Sequence, residues 1–263
     1  MDSIDAAAAA DPAADAAEDR ERGLPKMSFL DHLEELRKRL IVSMAAVFIA
    51  FLLCWNYAAE IYAKLQEPLT KILPPGDKLA FTRLTAPFFL YMKVAAFAGL
   101  FLAAPVILFQ LWLFISPGLY RHERRWAAPF IIATTGLFVL GGYFGWRVML
   151  PATCQFFVIQ MGKNFKQVIT IDDYFSFSSM LCLGAGLVFE TSILVFFLAR
   201  LGVVTPGFLM KQWKFAVVIS FIVAAIVTPT PDPVNQSALA IPMIVLYFIG
   251  VGVAYLFAKK PAA

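Results

Sequence analysis

The stretch RKRLIVSMAAVFIAFLLCWNY at residues 37–57 sets three cations, Arg37, Lys38 and Arg39, directly against 18 residues without a formal charge. Coiled as an α-helix, residues 40–57 rise about 27 Å, close to the ~30 Å of a bilayer's hydrocarbon core. Cations before such a run resemble a secretory signal, but no small-residue cleavage site follows promptly. The segment therefore reads as a retained first span that starts from the cytoplasm. Five more apolar runs follow, at residues 88–114, 127–150, 174–198, 215–227 and 238–258. The composition agrees: 60% of the 263 residues are hydrophobic, 15% are charged, and the mean hydropathy is +0.75. A soluble globular enzyme is excluded on those figures. The expected fold is all-α, a polytopic membrane protein with six transmembrane helices.

The cations orient it. Twelve Lys and Arg residues fall on the side of the N-terminus (Lys26, 37–39, Arg121, Arg124, Arg125, Arg200, Lys211, Lys214, Lys259, Lys260) and six on the other side (Lys64, Lys71, Lys78, Arg83, Lys163, Lys166). The positive-inside rule then places both termini in the cytoplasm and reads the net charge of +4 as topology, with no nucleic-acid partner. Residues 1–25, rich in Ala, Asp and Glu, form an expected disordered acidic tail. Residues 26–258 form the six-helix domain, and residues 259–263 a short cytoplasmic tail.

The connections carry structure of their own. Ile61, Leu65, Leu69 and Ile72 recur at helical spacing until Pro74 and Pro75, which predicts an amphipathic outer cap. Ser28 with Asp31 can open a helix whose Leu33, Leu36 and Leu40 share a face, an interfacial segment leading into the first span. The 13 residues of the fifth run rise only about 20 Å, so the bilayer thins there or the helix is unusually placed. Pro242 in the sixth run is tolerable near a helix start and kinks a helix middle.

Covalent chemistry finds little footing. No loop accommodates a nucleotide-binding domain, and the Gly162-Lys163 pair has Phe157 where a phosphate loop needs glycine. No Ser, His and acidic set is assembled around Ser116 or Ser220. Cys54, Cys154 and Cys182 lack zinc or disulfide spacing, and His32 and His122 are too few and too far apart for a metal centre. No metal and no cofactor are expected.

Three polar features remain. Glu190 lies within the fourth run, where an ionised carboxylate costs about 2.5–3.5 kcal/mol on insertion scales. It either faces a polar cavity that admits a substrate or partner, or is a protonated acid bonded between helices. In residues 114–125 (FISPGLYRHERR), Glu123 stands among basic neighbours, and Arg124 alone can neutralise it. In residues 29–39 (FLDHLEELRKR), Glu34 with Lys38 and Glu35 with Arg39 have the i, i+4 spacing of helix-stabilising pairs.

At these residues the chain resembles the TatC family, the central membrane subunit of the twin-arginine protein translocase. The resemblance rests on the F-x-x-H-L-x-E-L-R-x-R-L pattern from Phe29 to Leu40, on Glu67-Pro68-Leu69, Ala86-Pro-Phe-Phe89 and Ala104-Pro-Val106, on residues 114–125, on Phe189-Glu190, and on residues 228–236. It covers the chain from about Phe29 to Phe257 and leaves out the acidic tail. It implies a concave six-helix bundle in the cytoplasmic (inner) membrane that performs no catalysis. Such a receptor binds Arg-Arg signal peptides of folded cargo and assembles TatA- and TatB-type single-span proteins into a multimeric complex for export driven by the proton-motive force.

A guanidinium engages a carboxylate bidentately where lysine cannot. Glu35 and Glu123 match the family positions assigned to the arginines, and Phe114 and Leu33 match nearby recognition positions. His32 and Arg37 look like supporting members of the same motif. Glu190 matches the family's intramembrane glutamate, and Pro68, Asp232 and Gln236 match recurrent outer-loop positions. Proline there can simply fix loop geometry, and Asp232 can cap the sixth helix. The fifth and sixth spans are the expected docking surface for a partner helix. The competing function is a proton- or ion-coupled secondary transporter using Glu190. That function calls for inverted repeats about a midplane site, and the two halves show no convincing internal similarity.

Overall fold

The computed structural model of the chain describes residues 29–74, 77–115, 127–165, 167–200, 204–228 and 232–257. The acidic tail, Ser28, Ser116, His122, Glu123 with its basic neighbours, and the C-terminal residues 259–263 lie outside the described residues. Within them the protein is helical, with one isolated parallel bridge between Ala80 and Thr170 as its sole sheet-like pairing.

Helix α1 (Phe29–Trp55) runs without a break through the expected interfacial segment and the first span. It packs along α3 (Ala86–Ile115), which it meets most closely where Gly99 lies against the Phe51 backbone. Between them α2 (Ala58–Thr70) is the amphipathic cap expected from its leucines. It buries Tyr62, Leu65 and Leu69 against α3 and the third span. Pro68 stands inside this helix, in its last turn, instead of shaping a loop.

The third span is longer than its apolar run suggests, extending from Pro129 to Asn164. α4 (Ala127–Phe144) passes into a π-helical turn (Gly145–Met149), one α-helical turn (Leu150–Cys154), a second π-helical stretch (Gln155–Met161) and a closing 3-10 turn (Gly162–Asn164). Pro151 falls at the start of the short α-helical turn, where a missing N–H is tolerated. Helix continuity across Pro151 and Gln155 is what the hydropathy pattern failed to convey.

α5 (Ile171–Arg200) is the centre of the bundle, touching α3, α4, α7 and α8. Half of its apolar window is buried, against 11% for α1. α6 (Pro206–Lys211) is a single short turn capped by the Thr205 hydroxyl, which accepts the Phe208 N–H. α7 (Trp213–Val227) has 15 residues and α8 (Pro233–Phe257) has 25, continuing through Pro242. Five helices are thus long and apolar enough to cross a membrane, and α7 is a shorter apolar helix. Its rise of about 22 Å falls short of a ~30 Å core, as the brevity of its sequence run predicts.

Apolar side chains face outward over the whole bundle, among them Ile132, Leu187, Phe215 and Leu256, as expected of a surface solvated by lipid. The densest apolar core lies beneath α2, where Leu65 and Leu69 cover Leu90, Val94, Met149, Leu150 and Phe175. The two connections at this end are latched together. Ala80 N–H donates to the Ile169 carbonyl and Ile171 N–H to the Ala80 carbonyl, both at 2.9 Å. Lys93 pairs with Asp172 at 3.0 Å beside them.

Candidate functional site

At the N-terminal end of the bundle the helical period decides which residues meet. His32, Glu35 and Arg39, at i, i+3 and i+7, share the α1 face that turns toward α3. The Arg39 guanidinium donates to Glu35 Oε1 at 3.0 Å and to Gln110 Oε1 of α3 at 3.3 Å. One turn further along each helix, the His32 ring stacks on Phe114 with centroids 4.4 Å apart. Gln110 is buried, a polar residue in an otherwise apolar helix, and its carbonyl oxygen anchors the arginine. The i, i+4 pairs predicted from spacing are both present, Glu35 with Arg39 and, on the exposed side, Glu34 with Lys38 at 2.9 Å.

The leucines behave oppositely to expectation. Leu33, Leu36 and Leu40 are exposed, so the polar face of the segment packs inward and the leucine face looks out to the bilayer. Leu33 is turned roughly 160° around α1 from Glu35, given 100° per residue, and is not brought to the same surface. Arg37 is likewise exposed and apart from the cluster.

The Glu35 side chain is only 14% exposed, and among the described residues its Oε2 has no hydrogen-bond partner; the same holds for Arg39 Nε. A carboxylate offers about four acceptor positions, and a buried unpaired oxygen costs about 1–3 kcal/mol or more when charged. Glu35 is therefore half-satisfied by its own protein and able to accept another cationic donor.

Glu190 is half-buried in α5, remote in sequence from this cluster. Its Oε1 is buried without a partner among the described residues, as are Thr135 Oγ1 of α4 and Ser192 Oγ on α5. Helix register brings Thr135 to the level of Glu190, because Gly141 abuts Ala185 and Gly186 abuts Phe138 in an antiparallel pair.

The remaining candidates lie at the opposite end. Asp232 caps α8 as foreseen, accepting the Asn235 backbone N–H at 2.8 Å and its side-chain amide at 2.9 Å. Gln236 is within the helix, not the loop, and donates to the Phe221 carbonyl at 2.9 Å, tying α8 to α7. Asn235, singled out by nothing in the sequence, is the buried hub: its Oδ1 accepts the hydroxyl of buried Thr153 from the third span. Pro68 has a definite task. Lacking an N–H, it leaves the Lys64 carbonyl without its helical donor, and the Trp146 indole N–H donates to that oxygen at 3.1 Å. The Tyr174 hydroxyl donates to the neighbouring Leu65 carbonyl at 2.8 Å.

Among the described residues no group of three His, Cys, Asp or Glu side chains is placed to hold a metal ion, and the three cysteines are buried and unpaired. The geometry offers polar docking points, one at each end and one mid-bundle, and no assembled reaction centre. The family model for the Sec-independent protein translocase protein TatC matches residues 31–242. The chain belongs to the TatC family. A TatC protein of Koribacter versatilis is 42% identical over 243 residues, covering 91% of this chain and 89% of that one. A TatC protein of Synechocystis is 34% identical over 238 residues, covering 89% and 90%. A crystal structure of the twin-arginine translocase receptor TatC superposes with a TM-score of 0.74 at 33% identity, covering 87% of this chain and all of that one. This TatC-family chain is therefore a multi-pass membrane component of a protein translocase and not an enzyme.

Proposed function

We propose that this chain is the core receptor subunit of a twin-arginine translocase, with six spans, both termini in the cytoplasm, in the inner membrane. Glu35 and Glu123 receive the two arginines of a signal peptide, and Phe114 gives the peptide's apolar part a surface beside them. The single observation that carries this reading is Glu35, whose second oxygen is held among protein atoms without a donor while its first is fixed by Arg39. Arg39 and Gln110 orient the carboxylate in advance, so a visiting guanidinium meets a fixed acceptor.

Glu190, with Thr135 near its level, serves as a polar foothold for the deeper signal segment or for a polar residue on a TatA- or TatB-type helix, which docks along the short α7 and its neighbour α8. The assembled complex exports folded cargo with the proton-motive force.

The test is site-specific crosslinking from α1 and from the segment bearing Glu123 to an Arg-Arg signal peptide and to its Lys-Lys variant. Labelling that favours the Arg-Arg peptide tenfold or more, and is lost in Glu35→Gln, supports the assignment. Equal labelling of both peptides, or labelling unchanged in Glu35→Gln and Glu123→Ala, removes it.

A further inference from the structure

Two hollows adjoin on the face opposite Glu35, and they differ in chemistry. One, of about 310 Å³, lies between α2 and the third span and is lined by Glu67, Lys71, Arg147 and Gln155 with Pro151 and Ile159. The other, of about 300 Å³, is almost wholly apolar. It runs between α2, α3, α4 and α5, over Phe97, Phe101, Val139, Gly142 and Tyr143, with Lys64 at its edge. Trp146 lines both and divides them, its indole held by the Lys64 carbonyl.

The charge in the first hollow is unbalanced. Lys71 pairs with Glu67 at 2.6 Å, and Lys64 and Arg147 act on the same carboxylate. The Lys71 hydrogen bond and charge, with smaller contributions from Lys64 and Arg147, hold Glu67 below the ordinary carboxylate range, so it is ionised at neutral pH. Three cations therefore surround one anion. The π-helical turn Gly145–Met149 sets Trp146 and Arg147 side by side at the rim. In the second hollow the floor is kept open by Gly142, where a Cβ would fall 2.3 Å from Phe101 Cε1.

A cationic pocket beside an apolar trough, parted by an amphipathic indole, matches the two halves of one molecule class. We propose that the face formed by α2 and the third span binds an anionic phospholipid, its phosphate among Lys64, Lys71 and Arg147 and one acyl chain along the groove over Phe97, Phe101 and Val139. Arg147 supplies a planar fork for phosphate oxygens, and the lysine stems lie along apolar surface with their ammonium groups at the headgroup level. The excess of positive charge selects a phosphatidylglycerol-type headgroup over a zwitterionic one.

The test uses the full chain with Trp55, Trp112, Trp126 and Trp213 replaced by Phe, leaving Trp146 as the sole indole of five. It is reconstituted with phosphatidylglycerol or phosphatidylcholine carrying brominated acyl chains, which quench a tryptophan they touch. Quenching by the phosphatidylglycerol at least threefold stronger than by the phosphatidylcholine is expected. That preference should vanish in Lys71→Gln/Arg147→Gln, and Val139→Phe, which fills the groove without touching a charge, should reduce quenching by both lipids. Equal quenching by the two lipids, or a preference that survives loss of both cations, overturns the proposal. Release of quenching by inorganic phosphate assigns the cations to a free anion and overturns it equally. Should the four replacements prevent folding, native mass spectrometry of the chain with all five tryptophans gives the same decision. A phosphatidylglycerol adduct retained by the parent and lost in Lys71→Gln/Arg147→Gln sustains the site, and adducts indifferent to headgroup or to these variants abolish it.

Discussion

Pro68 and Trp146 form a matched pair across two elements, one withholding an N–H and the other supplying it. Pro68→Ala restores a helical donor to the Lys64 carbonyl and makes the indole bond redundant, whereas Trp146→Phe leaves that carbonyl without its donor. The two substitutions should be non-additive by about 0.5–1.5 kcal/mol in a double-mutant cycle read by thermal unfolding in detergent. Asn235→Ala strands the Thr153 hydroxyl and removes both side-chain contacts to neighbours in a site that is 1% exposed, so a loss of about 1–3 kcal/mol is expected in the same measurement. At this scale the sequence was partly legible. Asp232 announced itself as a cap by residue type and position, and the Glu35–Arg39 pair by spacing. Asn235 and Gln110 did not, because an amide in an apolar run reveals its partner only when another helix brings one within reach. For Pro68 the family motif marked the position, but the receiving indole lies 78 residues downstream and no local rule connects them.

Among the elements, span count and the outer cap followed from hydropathy and period, while helix faces did not. A helix solvated by lipid has no reason to turn its leucines inward, and the first turns of α1 bury His32, Glu35 and Arg39 because α3 offers Gln110 and Phe114 to receive them. Close packing between spans was also hidden, since it rests on small residues meeting across helices. Gly141 is the sharpest instance: a Cβ there would lie 2.5 Å from the Ala185 carbonyl oxygen and 2.8 Å from Gly186 Cα, both backbone atoms that cannot step aside. Gly141→Ala should therefore push α4 from α5 and cost about 1–3 kcal/mol. The expected readout is a lower unfolding midpoint with helix content by circular dichroism unchanged at low temperature. Gly136, with nothing within 4 Å of an added Cβ, is the control and should tolerate alanine.

For the whole molecule, the decisive expectation is which end faces which compartment. Impermeant maleimide applied to intact spheroplasts should label Asp77→Cys and spare Lys211→Cys until the membrane is opened; the reverse pattern would invert the proposed receptor surface. The three native cysteines are buried and give little background. Legibility at this scale came from charge asymmetry for orientation and from separated motifs for family, neither of which needs contacts.

The wide turns of the third span have a bearing on how such a chain tolerates insertion and deletion. Each π-helical stretch holds one residue more than an α-helix needs, so removing a residue from Gly145–Met149 would heal the coil into ordinary α-helix and leave helicity intact. Everything beyond it would then be turned by about 100°, the angle one residue subtends. Thr153 would swing away from Asn235 while Pro151 and Gln155 left the wall they share with Lys71. The extra residues thus act as phase settings, keeping one continuous rod in step with two different neighbours along its length.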